Sequence, residues 1–383
     1  MSGPSPFAAE PAPLQRWLSI VGIGEDGIEG LGRVARDLIE NAEIVFGGVR
    51  HLALAAPLIH GEAKPWPSPF SQAPGEVVAL RGRRVCVLAS GDPFFYGVGA
   101  TLAGHVTADE TWVVPAPSAF SLAAARMGWP LQEATVVSLH GRALDRIRPH
   151  LHPGAKLLAL TSDAEGPTAL AQLLTKTGFG PSRLTVLEAL GGSRERVRTS
   201  EARDFGLADI AALNTVALEV VADPGAGVLA FTPGLDDDLF EHDGQISKRE
   251  IRALTLSSLA PRHGELLWDV GAGSGSVGIE WLLAHPSLHA IAIEADEARA
   301  ARAARNAAAF GVPHLDVRHA RAPEALTDLP EPVTLETESE LIARHAAQGG
   351  TLTRVAVSRA EAVGGKTGWR SAMPVTQWTW EKT

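Results

Sequence analysis

The stretch that decides the fold lies in the C-terminal half and reads Leu266-Leu267-Trp268-Asp269-Val270-Gly271-Ala272-Gly273-Ser274-Gly275-Ser276. Its apolar first half predicts a buried strand, its glycines predict a turn, and Val277 to His285 predict a helix. Glycines there let a ligand approach the backbone, and the helix N-terminus offers free N–H groups. The stretch therefore predicts a ligand site at the carboxyl end of a strand in an α/β sheet.

An acidic residue after the next strand narrows the class of ligand. Residues 289–293 predict that strand, and Glu294 ends it. A carboxylate about 20 residues past the glycines can hold both hydroxyls of a ribose. The string from Gly273 to Gly278 also fits the dinucleotide pattern G-x-G-x-x-G, but alone that match is weak. An NAD site stays open as an alternative.

The pattern D-V-G-x-G-x-G followed by I-x-I-E resembles the S-adenosylmethionine (SAM) site of Rossmann-like class I methyltransferases. In that family the glycine turn meets the amino-acid end of SAM, and Asn306 fits the helix after the second strand. The resemblance implies these SAM-binding residues: Asp269, Gly271, Ala272, Gly273, Ser274, Gly275 and Glu294.

Composition bounds the other possibilities. The chain has 383 residues, 45% of them apolar, and a net charge of −10. At roughly 150 residues per domain this length predicts two or three domains. The acidic balance argues against a general nucleic-acid binder, because neutralising phosphates needs an excess of Lys and Arg. The single Cys86 lies in an apolar run, which favours an inert core thiol.

Neither a membrane segment nor a metal site is predicted. No apolar run reaches the roughly 18–20 residues of a membrane helix. The Pro/Ala-rich residues 1–14 lack the features of a signal peptide, so we expect a tail and a cytoplasmic protein. The 13 histidines show no spacing typical of metal ligands.

The N-terminal half carries three further strand-end motifs. They are Val21-Gly22-Ile23-Gly24, then Ser90-Gly91-Asp92-Pro93, and Pro115-Ala116-Pro117-Ser118 ahead of a predicted helix at Leu122 to Met127. Each places small or polar residues where ligands bind in open α/β sheets. Taken singly, each is more typical of an ordinary turn. Apolar strands alternate with helices through this half, which predicts a largely parallel sheet.

Together these motifs resemble the tetrapyrrole methylases, the class III SAM methyltransferases. That family carries V-G-x-G, G-D-P and P-x-x-S ahead of A-A-A-R-x-G, and the last stands here as residues 123–128. Glycine is usual in the family where this chain has Ala116. The resemblance implies a first set of SAM-binding residues: Gly24, Gly91, Asp92, Phe95, Tyr96, Ser118 and Ala119.

A class III site followed by a class I site resembles the bifunctional precorrin-6B methylases of cobalamin biosynthesis. Residues 245–254 are similar to the entry helix of their C-terminal part, which adds Ser247 and Ala322 to the second SAM site. The implied organisation is a tail at 1–14, a tetrapyrrole methylase domain of two α/β subdomains at 15–225, a linker at 226–244 and a Rossmann-like class I domain at 245–383.

That resemblance also implies the activity. Two SAM molecules methylate precorrin-6B at C5, in the N-terminal domain, and at C15, in the C-terminal domain. The C-terminal domain also removes the C12 acetate carboxyl as carbon dioxide, which gives precorrin-8X. A homo-oligomer is implied as well, without a nucleic-acid or membrane partner. No catalytic residue is assigned, because the methyl donor is already activated and positioning carries the catalysis.

A polycarboxylate acceptor needs local positive charge. Arg142, Lys248 and Arg321 are the predicted substrate cations, with solvated surface cations as the alternative for each. Other readings also remain open: a SAM methylase with a small-molecule or RNA acceptor, an enzyme active only at C5, and a non-catalytic SAM-binding protein of the corrin pathway.

One departure from the family concerns the end of the chain. Between Pro332 and Val333 we expect a strand, a helix and a further strand that this sequence lacks, about 30 residues by the usual length of such a unit. Either the given chain omits these residues, or the C-terminal domain is damaged.

Overall fold

The computed structural model describes residues 16–322, 324–326 and 329–330, and the backbone of 334–335, 351–355, 358–363, 366–371 and 377–381. The chain divides into two compact units. The first comprises residues up to His140, Lys156–Ala171 and Ser182–Glu219, and the second comprises Gly141–Ala155, Gln172–Pro181 and the residues from Val220 onward. The predicted tail at 1–14 and the predicted loss between Pro332 and Val333 lie outside the described residues.

The first unit begins with a five-stranded parallel sheet whose order is β3-β2-β4-β1-β5. Its central strands are apolar and covered on both faces by core side chains, as parallel sheets require. The strands are β1 Leu18–Ile23, β2 Ile44–Gly47, β3 Glu62–Pro65, β4 Val85–Ser90 and β5 Thr111–Val114. The helices are α1 Arg33–Glu40, α2 Val49–Ala55, α3 Ala73–Val78 and α4 Val98–Leu102.

A second sheet follows, with the order β6-β7-β10-β8-β9. Its strands are β6 Thr135–Ser138, β7 Lys156–Leu160, β8 Arg183–Glu188, β9 Arg196–Glu201 and β10 Asn214–Glu219. Helix α5, Ala119–Met127, packs Phe120, Ala123 and Ala124 against the apolar face of this sheet. Helix α6, Gly166–Lys176, lies between β7 and β8 in the chain.

The prediction of a largely parallel sheet is wrong for this second sheet. Only β6 and β7 pair in parallel, whereas β10 runs antiparallel to both β7 and β8, and β9 antiparallel to β8. A run of apolar residues identifies a buried strand but carries no information on its direction. A short connection, residues 189–195, accounts for the antiparallel pairing of β9 with β8, whereas β10 lies between β7 and β8 without being next to either of them in the chain.

The second unit contains a parallel sheet of the order β13-β12-β11-β14. Its strands are β11 Leu266–Val270, β12 His289–Glu294, β13 Asp316–His319 and β14 Thr334–Leu335. The helices are α7 Arg249–Leu259, α8 Ser276–Ala284 and α9 Glu297–Ala309. Two antiparallel pairs come later, β15 Thr351–Val355 with β18 Gln377–Glu381 and β16 Ser358–Val363 with β17 Lys366–Ser371.

The residues predicted as a linker are packed into the second unit. Leu229, Leu235 and Phe240 are at most 5% exposed and belong to its hydrophobic core. The role of 226–244 as a boundary, and the ranges 15–225 and 245–383, stay predictions. Among the described residues, no helix is long and apolar enough to cross a membrane.

Candidate functional site

In the first unit, the carboxyl ends of several strands surround one cavity of about 370 Å³. A volume of this size lies within the usual range for small-molecule sites. Six of the seven predicted SAM residues of this half line it: Gly24, Gly91, Phe95, Tyr96, Ser118 and Ala119. Asp92 is not among the lining residues. Its carboxylate instead accepts the backbone N–H of Phe94 at 2.9 Å and so shapes the loop that carries Phe95 and Tyr96.

Glycines allow three of the surrounding loops to meet. A Cβ on Gly22 would lie 1.8 Å from the carbonyl oxygen of Gly91, and a Cβ on Gly91 would lie 2.7 Å from that of Pro117. Gly91 also has a φ of +54°, and its carbonyl accepts the N–H of Ala116 at 3.1 Å. The ends of β1, β4 and β5 are therefore in backbone contact, which larger residues would prevent.

Aromatic rings cover one side of the cavity. The ring centroid of Phe95 lies 5.2 Å from those of both Tyr96 and Phe120. Tyr96 is 48% exposed and Phe95 is 36% exposed, so both present ring surface that no protein group covers. Such a surface suits a flat or apolar ligand.

A polar cluster that the sequence did not predict lies at the ends of β2 and β4. The guanidinium of Arg50 pairs with the carboxylate of Glu25, and its Nη2 lies 2.9 Å from both His51 Nε2 and Ser90 Oγ. Burial and the neighbouring Arg50 lower the pKa of His51 to about 4. A sequence signal for this cluster does exist. Gly47-Gly48 places a glycine turn and the start of a helix directly after β2, which is the pattern of a strand-end ligand site.

His140 also lines this cavity, two residues past the end of β6. Its Nδ1 lies 3.2 Å from the carbonyl oxygen of Thr161. Thr161 is buried and donates its hydroxyl to Asn214 Oδ1 at 2.5 Å. The second sheet brings these three residues together at the ends of β6, β7 and β10.

The second predicted site lies in the second unit, at the carboxyl ends of β11 and β12. Glu294 accepts the N–H of Gly273 at 2.8 Å and that of Asp296 at 2.9 Å. Asp269 accepts the N–H of Gly278 at 3.0 Å, and burial raises the pKa of its carboxyl, with the charge of Glu294 adding to the effect. The glycine turn and the acidic residue predicted from spacing are therefore in direct contact.

The turn itself needs glycine. Gly271, Gly273 and Gly275 have φ values of +77°, +57° and +74°. A Cβ on Gly271 would have no neighbour within 4 Å, so space is open above the strand end, whereas one on Gly275 would lie 3.0 Å from Ala303 Cβ. Open backbone beside a buried carboxylate is the arrangement that the sequence predicted at this strand end. Asn306 supports the turn by donating to the carbonyl of Ser274 at 2.9 Å.

The remaining predicted residues of this half are placed less specifically. The carbonyl of Ser247 accepts a hydrogen bond from Arg252, and Ala322 lies exposed in the loop after β13. Ala272 is 9% exposed and Ser274 is 3% exposed within the turn. The sequence motifs therefore predicted the strand, glycine turn and helix around Gly271 and Gly275 better than they predicted Ser247 and Ala322, which lie outside that unit.

The predicted substrate cations are all on the surface. Arg142 and Arg321 are exposed, and Lys248 Nζ lies 3.4 Å from Asp237 Oδ2. Lys248 therefore has a carboxylate of its own chain to release before it binds another. In the described part of the chain, no group of three or more His, Cys, Asp or Glu side chains is arranged to hold a metal ion.

Family models match both halves of the chain. The model described as tetrapyrrole (corrin/porphyrin) methylases matches residues 18–206. The model described as a precorrin methyltransferase domain matches residues 238–333 and 331–382.

Curated relatives match either nearly the full length or one half of the chain. A Sinorhizobium protein named precorrin-6Y C(5,15)-methyltransferase [decarboxylating] is 54% identical over 406 aligned positions, which cover 98% of each chain. A Salmonella typhimurium protein named cobalt-precorrin-7 C(5)-methyltransferase is 30% identical and covers 47% of this chain and 88% of its own. The crystal structure of the C-terminal domain of precorrin-6Y C5,15-methyltransferase from Rhodobacter capsulatus is 35% identical, with a TM-score of 0.35, over 40% of this chain and 98% of its own.

Proposed function

The chain belongs to the family of decarboxylating precorrin-6Y C(5,15)-methyltransferases, and from that premise we propose the reaction it performs. The enzyme transfers methyl groups from SAM to C5 and C15 of precorrin-6B, the acceptor that the relatives' names call precorrin-6Y. It also removes the C12 acetate carboxyl as carbon dioxide, and the product is precorrin-8X.

Two separate SAM sites are part of this proposal. The first is the cavity at the ends of β1, β2 and β4, lined by six residues of the tetrapyrrole methylase motifs. The second is the turn after β11, where Glu294 contacts Gly273. We assign C5 methylation to the first site, and C15 methylation with decarboxylation to the second. The observation that carries the proposal is the assembly of both motif sets at strand ends within their own units.

The residues of the chain act by binding and orientation. SAM supplies an activated methyl group when it is bound. The glycine backbone at Gly91 and Gly271 lets a ligand approach the strand ends, and Glu294 can accept hydrogen bonds from ribose hydroxyls. Phe95 and Tyr96 present ring surface against which the acceptor can pack, and packing there would displace water from the acceptor carbon.

The product of a single incubation tests the proposal. The purified protein is incubated with precorrin-6B and methyl-labelled SAM, and the product mass and released carbon dioxide are measured. We expect two labelled methyl groups and one carbon dioxide for each product molecule. A chain that transfers no methyl group to precorrin-6B contradicts the proposal.

A second candidate function is methylation at C5 alone. The alignment with the Sinorhizobium relative spans 406 positions, more than the 383 residues of this chain, so that relative has residues without a counterpart here. The precorrin methyltransferase model also matches in two pieces that meet near residue 332. Both facts support a loss of about one strand–helix–strand unit between Pro332 and Val333.

The same incubation separates the two candidates. One labelled methyl group without carbon dioxide indicates that only the first site is active. Mass spectrometry of the purified protein, compared with 40.2 kDa, shows whether the natural chain contains the additional residues. A cytoplasmic location and a homo-oligomer stay predictions.

A further inference from the structure

The cavity of the first unit contains a histidine held in one tautomer. His140 Nδ1 lies 3.2 Å from the carbonyl oxygen of Thr161. A carbonyl oxygen can only accept a hydrogen bond, so Nδ1 carries the hydrogen of the neutral ring and Nε2 carries a lone pair. Among the described residues, no hydrogen bond to His140 Nε2 is found.

The carbonyl that orients His140 is itself fixed. Thr161 is 4% exposed and Asn214 is 6% exposed, and their side chains are hydrogen-bonded to each other. The amide nitrogen of Asn214 donates to the carbonyl oxygens of Asp163 and Ala211, each at 2.9 Å. A buried, fully bonded network of this kind restricts the ring to one orientation.

The other histidine of the cavity is unsuited to accept a proton. His51 Nε2 lies 2.9 Å from Arg50 Nη2 and 2.8 Å from Ser90 Oγ, and its Nδ1 is buried without a partner. Burial and the charge of Arg50 lower the pKa of His51 to about 4. His51 therefore remains neutral and helps to place Arg50 and Ser90.

Methylation of a conjugated ring carbon requires a proton acceptor. When C5 uses a π electron pair to bond the methyl group, the carbon–sulfur bond of the donor breaks and its electrons stay on sulfur. The donor's positive charge then resides on the macrocycle. Breaking the C5–H bond returns an electron pair to the π system and releases one proton, so the net change is methyl for hydrogen.

We propose that His140 is the general base that accepts this proton at Nε2, an inference that rests on the proposed C5 methylation. His140 lines the cavity that contains the first SAM motifs, and its side chain is exposed enough to pass the proton on to water. The reaction then needs no oxidant or further co-reactant, because the imidazolium returns to the neutral ring by releasing a proton to solvent.

The test compares His140→Asn with wild-type protein and with His105→Asn. His105 is exposed and does not line the cavity, so it is a matched control. An Asn at 140 can still donate to the Thr161 carbonyl but cannot accept the proton. We expect kcat for C5 methylation to fall by about 10²–10⁴-fold, the usual contribution of a general base, with Kd for SAM unchanged. The His105→Asn variant should keep the wild-type kcat.

Two further readouts distinguish a base from a structural residue. Added imidazole should restore part of the activity of a His140→Gly variant, and acceptor deuterated at C5 should show a larger isotope effect with His140→Asn than with wild type. Wild-type kcat in His140→Asn, or a loss with neither imidazole rescue nor a changed isotope effect, would overturn the inference. Failure of wild type to methylate C5 would instead refute the proposed function.

Discussion

Arg252 shows at the scale of one residue how the second unit is held together. Its guanidinium is fully buried and contacts Glu280 Oε1 at 2.7 Å and Asp237 Oδ1 at 2.7 Å. Glu280, also buried, accepts the N–H of Gly234 at 2.6 Å and that of Leu235 at 3.2 Å. The two ion pairs of Arg252 and the backbone bonds of Glu280 therefore connect α7, α8 and the segment predicted as a linker.

Replacing Arg252 should destabilise the protein strongly. In Arg252→Met the carboxylate of Glu280 stays buried without its cation, so we expect a loss of about 3–5 kcal/mol in the free energy of unfolding. Arg305→Met is the control, because the Arg305–Glu241 pair is exposed on both sides and screened by solvent, so its loss should cost far less. Urea unfolding measures both losses, and equal losses would contradict this account.

Cys86 is predicted to be unreactive in the folded protein. Burial raises the pKa of its thiol to about 12, and the thiolate is the form that reacts. We expect iodoacetamide to leave Cys86 unmodified at pH 8 and to label it after unfolding in urea, with mass spectrometry as the readout. Rapid labelling of the folded chain would show that the thiol is accessible.

The same thiol makes stability depend on alkaline pH. The unfolded thiol ionises near pH 9 and the folded one near pH 12, so the unfolded state loses its proton first. Its contribution to stability is therefore present below pH 9 and lost as pH rises towards 12, by up to about 1.4 kcal/mol per pH unit. Cys86→Ala should lack this part of the alkaline dependence.

At the scale of elements, the close approach of three strand ends determines the first cavity. Gly22 belongs to β1, yet its position is limited by the backbone of the loops after β4 and β5. As a sequence, an apolar strand with one glycine is common and indicates no site. Gly22 matters for the cavity because its backbone touches two loops that lie about 70 and 90 positions further along the chain. The element can be predicted locally, whereas the contact cannot.

Gly22→Ala should therefore disrupt the first of the two proposed SAM sites. The added Cβ would lie 1.8 Å from the Gly91 carbonyl oxygen and 2.6 Å from Ala116 N, so the loops must separate. We expect SAM binding at the first site to weaken by at least about 10-fold, since 1.4 kcal/mol is enough for that change. Gly75→Ala in α3, where a Cβ meets nothing within 4 Å, is the control. Titration calorimetry with SAM measures both, and unchanged binding in Gly22→Ala would refute the steric account.

At the scale of the whole molecule, two units each carry one of the two proposed SAM sites, and separate substitutions test each site. Gly91→Ala adds a Cβ 2.7 Å from Pro117 O, and Gly275→Ala adds one 3.0 Å from Ala303 Cβ, both at positive φ. We expect calorimetry to give two SAM molecules per wild-type chain and one per chain in either variant. A wild-type stoichiometry of one would contradict the two-site proposal.

The sequence determined the strand and glycine turn at Gly91, the strand–glycine–helix unit at Gly271 and the acidic partner Glu294, because hydrophobic periodicity and glycine turns are local properties of the chain. Only the tertiary structure decided the antiparallel direction of β10, the packing of 226–244 into the second unit and the meeting of Arg50, His51 and His140 at one cavity. These features depend on contacts between residues far apart in the chain. The identity of one residue does not indicate which distant residue it will contact, so such contacts cannot be predicted from local sequence. His140 is the clearest case, because an isolated histidine becomes a proton acceptor only when a fixed carbonyl and a cavity flank its ring.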